Sequence, residues 1–258
     1  MSARRNLRTL LFYIIVLAAI PAAVSFAQSI PIPFVDVRVK EAQSPREVSL
    51  GLQILFLLTI LSLAPSIVIM VTSFLRVSIV LSFLQRALSL QETPPRAIIM
   101  GLSLFLTFFI MQPTLNEMNK RALEPYLAGK IGVNDFFGQV EQPLRKFMLT
   151  TLNSKGGMSN LDLFIYLSKK GSLKDPASIP TSVIIPAFVI NELTVAFKMG
   201  IFLFIPFIVI DLIVAAALMA MGMIMLPPVM ISLPLKLILF IAVDGWKLIS
   251  YQLVQSYK

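Results

Sequence analysis

Residues 199–243 form an almost unbroken apolar run whose only charges are Asp211 and Lys236, folded back at Leu226-Pro227-Pro228. One hydrocarbon crossing takes about 20 apolar residues in a helix, so the run has length for two spans or a buried helical hairpin. The two proline rings remove N–H donors and crowd the preceding turn, which places the bend at Pro227 and Pro228. The arms belong to a second hydrophobic half, residues 181–258, whose return arm reaches about Leu248 before an amphipathic tail. Residues 50–115 make a first hydrophobic helical hairpin. Its segments are 50–75, containing Pro65, and 97–112, with Arg76, Arg86, Arg96, Glu92 and Pro94-Pro95 in the turn between them.

Between these halves the pattern changes. Residues 116–180 mix charges, glycines and prolines, and Phe136, Phe137, Val140, Leu144, Phe147 and Met148 recur at the helical period. This predicts a helix over Val133–Leu152 within a small soluble α-rich domain, with loops at Lys155-Gly156-Gly157 and Lys169-Lys170-Gly171. Prolines scattered from Pro180 to Pro234, including Pro206 in mid-segment, favour broken helices in the second half. Membranes tolerate these where neighbouring protein satisfies the freed carbonyls.

Composition sets the class as all-α and membrane-associated. The chain is 57% hydrophobic with 14% charged residues and a mean hydropathy of +0.86, against roughly 25% charged residues in a soluble domain. The net charge of +9 matches the Lys/Arg excess of loops flanking membrane helices, and no basic-aromatic motif points to nucleic acid. Residues 1–27 read as a cleavable signal peptide: Arg4, Arg5 and Arg8, an apolar Leu10–Ile20, then Ser25-Phe26-Ala27. A polar lead, residues 28–49, follows. Cleavage puts residues 116–180 on the periplasmic side of a bacterial inner membrane and Arg76, Arg86 and Arg96 inside, as the positive-inside rule prefers.

Cysteine and histidine are both absent. That removes thiolate nucleophiles, imidazole bases, disulfides and His/Cys zinc sites. No GxSxG elbow or SxxK box stands in their place. The chain is therefore expected to be no enzyme and to take no cofactor or metal.

The candidate chemistry is in the charges and the methionines. Glu192, Asp211 and Lys236 lie in the apolar second half, with Asp244 near its end, where a charge at a span centre costs about 2.5–3.5 kcal/mol on insertion scales. Counted from the diproline, Asp211 and Lys236 are not level, so a bridge within the chain is not the obvious reading and pairing between subunits stands open beside it. An ion or proton relay and a structural pair fixing subunit register both fit. Met219, Met221, Met223 and Met225 do not share a helical face. They either fill an irregular core or leave helical geometry and present Met223 and Met225 to an opening, where flexible thioethers could seal a pore.

These residues closely resemble the FliP family. The matching motifs are Pro186-Ala187-Phe188 with Glu192-Leu193, Ile205-Pro206-Phe207 with Ile210-Asp211-Leu212, and Met221-Gly222-Met223-Ile224-Met225-Leu226-Pro227-Pro228. They continue with Leu233-Pro234-Leu235-Lys236 and Val243-Asp244-Gly245-Trp246, and further matches stand at Thr72-Ser73-Phe74, residues 104–109 and Gln142-Pro143-Leu144-Arg145. The resemblance implies a core subunit of the flagellar type III protein export gate. Copies of it would self-associate and assemble with FliQ and FliR into a helical, ring-like pore at the base of the flagellum. Unfolded rod, hook and filament subunits would pass through that pore, with energy supplied by other export components. It further implies that Met223, Ile224 and Met225 form a gasket. That loop commonly reads Met-Met-Met, and Ile224 departs from it with a side chain stiffer at χ1. Two alternatives stand beside this reading: an ion-coupled small-solute transporter, which also uses broken helices and intramembrane charges, and the homologous subunit of virulence type III secretion.

Overall fold

The computed structural model describes residues 45–90, 93–154, 156–168, 178–223 and 225–257. The expected signal peptide, the polar lead up to residue 44 and the Lys169-Lys170-Gly171 loop lie outside them, as do Lys155 and Ile224. The described residues are helical throughout, without strands. The chain divides into two units, residues 1–54 and 55–258. Helix α1 (Pro45–Met70) crosses that boundary, and its described side chains from Leu55 to Met70 are all exposed. All further helices belong to the second unit.

Helix α2 (Phe74–Ala87) and α3 (Arg96–Met118) come next, and α3 passes through a π turn at Asn119–Leu123 into the short α4 (Glu124–Leu127). Pro125, which has no N–H to donate to the preceding turn, sits where the helix widens. The first half is thus three helices rather than a simple hairpin, because the chain breaks at residues 71–73 as well as at 88–95. The expected helix over Val133–Leu152 is α5 (Val133–Ser154), and α6 (Met158–Leu167) follows after a turn in which Gly156 takes φ of 69°. The apolar face of α5 does not close on itself. Met148 and Leu152 share a buried cluster with Leu161 of α6 and with Val183, Ile184, Ala187 and Phe188 at the start of the next helix.

That helix, α7 (Thr181–Ala220), is the spine of the molecule. It runs 40 residues through Pro186 and Pro206 without a break, so the expected interruption at Pro206 does not occur. A proline removes one hydrogen bond of the ladder, and the long apolar sequence on both sides carries the helix past it. At 1.5 Å per residue α7 is about 60 Å long, twice the thickness of a hydrocarbon core, so part of it must lie outside one. Helix α2 runs alongside α7 in the same direction. Phe83 packs edge-on against Phe197 and Phe204 and lies so close to Gly200 that a Cβ there would meet its ring at 2.7 Å.

The bend after α7 also differs from expectation. The helix is stopped by Gly222, not by the diproline. Gly222 takes φ of 75°, its N–H donates to the Met219 carbonyl, and the Met223 N–H reaches back to the Leu218 carbonyl at 3.0 Å. This is a Schellman ending, which needs the left-handed conformation glycine adopts at low cost. Pro227 and Pro228 begin the return helix α8 (Pro228–Ala242), with Pro228 in the first turn, where a missing N–H is harmless. Helix α9 (Gly245–Gln255) leaves α8 at a 63° angle through Asp244, whose φ of 51° and ψ of 47° are left-handed. Among the described residues three helices are long and apolar enough to cross a membrane, Gly51–Met70, Arg96–Leu127 and Thr181–Ala220, and the bent α8–α9 pair makes up to a fourth.

Candidate functional site

Two buried polar clusters sit at two levels of α7, set by Glu192 and Asp211, whose separation of 19 residues corresponds to about 28 Å along the axis. The upper cluster joins three stretches far apart in sequence. Arg76 and Glu192 form an ion pair with both side chains wholly buried. Arg76 also donates through Nη1 to the Ser256 carbonyl at 3.1 Å and to its Oγ at 2.9 Å. The Tyr257 hydroxyl donates to the second oxygen of Glu192, and the Arg76 guanidinium lies 4.0 Å from the centre of the Tyr257 ring. That ring also stacks on Phe147, with centroids 5.8 Å apart. Burial, and then the Glu192 carboxylate beside it, push the Tyr257 phenol well above its ordinary value, so it remains a donor.

Arg76 thus has a different role from the one its sequence position implied. It is not a loop cation; it is a buried partner of Glu192. The signal was present, since Arg76 is the one charge in the stretch from Phe74 to Leu81, which is otherwise apolar apart from Ser78, and an intramembrane charge calls for a partner. Nothing in the local pattern pointed to Ser256 or Tyr257.

The lower cluster pairs Lys236 with Asp211 at 2.7 Å within one chain. The expectation that the two would not be level assumed a bend at the diproline. Because α7 stops at Ala220 and α8 starts only at Pro228, the arms from Asp211 to the loop and from the loop to Lys236 are nearly equal. Ser232, one turn before Lys236 on the same face, donates to the other Asp211 oxygen at 2.6 Å. Lys236 Nζ also donates to Ser89 Oγ at 2.8 Å. Ser89 ends α2 in a left-handed conformation, φ 58°, with the Leu90 N–H returning to the Gln85 carbonyl. Helix α2 is therefore pinned at both ends, through Arg76 to α7 and through Ser89 to the α7–α8 hairpin.

Asp244 belongs to neither cluster. Although grouped by sequence with the buried charges, it is exposed, because it occupies the outer side of the α8–α9 corner. Beside it Gly245 touches the Phe240 ring, and Phe240 meets Trp246 edge-on at 5.4 Å.

The methionine-rich loop lies beyond the lower cluster. After the Schellman ending Met223 and residues 225–227 are non-helical, and Met225 is 98% exposed while Met223 is 39% exposed. Met219 and Met221 are exposed as well, so within a single chain these side chains do not fill a core. Large apolar faces are also bare along α3 (Phe105, Phe108, Phe109) and α7 (Ile201, Phe202, Ile205, Leu212, Ile213). Such surfaces are stable only against lipid or other protein. Among the described residues no group of acidic side chains is arranged to hold a metal.

Long apolar helices, ion pairs between helices and bare apolar faces define an all-helical, membrane-embedded class of protein. The FliP family model matches residues 57–253, and the chain belongs to that family. It is 53% identical over 211 residues to the flagellar biosynthetic protein FliP of Borreliella burgdorferi, covering 82% of this chain and 83% of that one. The protein of the same name from Treponema pallidum is 47% identical over 88% of this chain and 83% of its own length. The one from Bacillus subtilis is 45% identical over 86% of this chain and 98% of its own length.

Proposed function

We propose that this protein is a core subunit of the flagellar type III export gate. In this reading it assembles with further copies of itself and with FliQ and FliR in the bacterial inner membrane, and forms the conduit for unfolded rod, hook and filament subunits. It acts as a conduit and not as an enzyme. The observation that carries the reading is the similarity along more than four-fifths of the chain to proteins named for flagellar biosynthesis. The loop geometry supports the finer part. The Asp211–Lys236 pair squares the ends of α7 and α8, and in the loop beyond it Met225 stands almost wholly exposed and Met223 partly so. In a ring of subunits, flexible apolar side chains in that position would close a narrow opening and still yield to a passing chain. The bare faces of α3 and α7 supply the surface for neighbours and lipid.

The test is the native mass of the detergent-extracted protein, expressed alone and then with FliQ and FliR. A discrete homo-oligomer that recruits both partners supports the reading. A monomer or dimer that ignores them refutes it and returns the ion-coupled transporter as the better account.

A further inference from the structure

We propose that Ser256 and Tyr257 form a latch that holds α9 in place, with the buried Arg76–Glu192 pair as its catch. Helix α9 starts at the left-handed corner at Asp244, where Gly245 and Trp246 lie against the Phe240 ring. Along its length Leu253 and Ile249 lie in an apolar cluster with residues of α2, α3 and α7, and Leu248, Ile249 and Gln252 also wall an apolar cleft of about 550 Å³ shared with Phe202, Pro206 and Phe240. Across that cleft α9 is not packed against its own chain, so packing within the chain holds it less than a helix enclosed on all sides. Its far end carries the polar contacts instead. Arg76 is bonded twice to Ser256, and its guanidinium is covered by the Tyr257 ring. Glu192 uses one oxygen for Arg76 and the other for Tyr257.

The arrangement is reciprocal. Without Tyr257 the carboxylate loses a neutral donor and the cation its aromatic cover, while both stay paired with each other. The ion pair therefore survives release of the latch, and α9 can lift without leaving a lone buried charge. Release would uncover the apolar side chains of α2, α3 and α7 that cluster with Leu253 and Ile249. The corner at Gly245 and Phe240 keeps α9 attached to α8. The latch belongs to the single chain and does not depend on the export-gate reading.

Hydrogen–deuterium exchange on the full-length protein in detergent micelles tests it, comparing the native chain with Tyr257→Phe and Tyr257→Ala. Tyr257→Phe keeps the ring over Arg76 and removes only the hydroxyl, so it keeps the test valid where the alanine variant fails to fold. Losing a hydrogen bond to a charged group should raise the opening of α9 about tenfold to a hundredfold. Amides of residues 248–255 should then exchange faster in Tyr257→Phe, and faster still in Tyr257→Ala, while those of α2 and α7 keep their native rates. Unchanged α9 exchange in both variants would overturn the latch, because apolar packing alone would then hold the helix. Equal acceleration in α2, α7 and α9 would overturn it too, since the contact would then be a staple of the whole fold.

Discussion

The Asp211–Lys236 pair makes an asymmetric prediction that follows from burial. The Lys236 side chain is 2% exposed and that of Asp211 36% exposed. Asp211→Ala strands an ammonium group in the interior with Ser89 Oγ as its only remaining partner in the cluster. Removing one member of a buried pair costs about 3–5 kcal/mol, most of it the penalty of the uncompensated charge. Lys236→Met is different. Methionine fills the stem volume, and the Asp211 carboxylate left behind is partly open to solvent and still accepts from Ser232. Its cost should be about 1 kcal/mol, in the range of a solvent-screened pair. The double variant Asp211→Ala/Lys236→Met should be more stable than Asp211→Ala alone, because it removes the stranded charge. Unfolding by SDS titration in mixed micelles, followed through the single tryptophan, Trp246, would measure all three. Equal or greater damage from Lys236→Met, or a double variant as unstable as the sum of the singles, would refute the argument from burial.

Two further perturbations address the loop. Replacing Met223 and Met225 together by alanine should raise ion leakage across cells or vesicles carrying the assembled complex, without lowering its yield; unchanged leakage would remove their sealing role. Gly222→Ala should cost about 1–2 kcal/mol from its left-handed conformation alone, since a Cβ there meets nothing within 4 Å. A thermal melt of that variant indistinguishable from the native one would show that the Schellman ending does not hold the bend.

Local pattern was enough for the all-helical class, the apolar segments and the helix of α5, because these rest on period and run length. The charges worth watching were visible for the same reason: Glu192, Asp211 and Lys236 stand alone in apolar surroundings. Partners were not visible. Arg76 meets Glu192 across 116 residues and Tyr257 meets it across 65, and no local pattern encodes such distances. The offset of Asp211 from Lys236 was misjudged because two prolines look like the stronger stop signal. In the folded chain Gly222 ends α7 earlier, and the prolines merely open α8. Pro206 shows the opposite bias, since a residue that breaks a marginal helix is carried by one of 40 residues packed along much of its length. Which charges pair, where the bend falls and which methionines stand free emerge only in the folded chain, because each depends on two helices being brought level by everything packed around them.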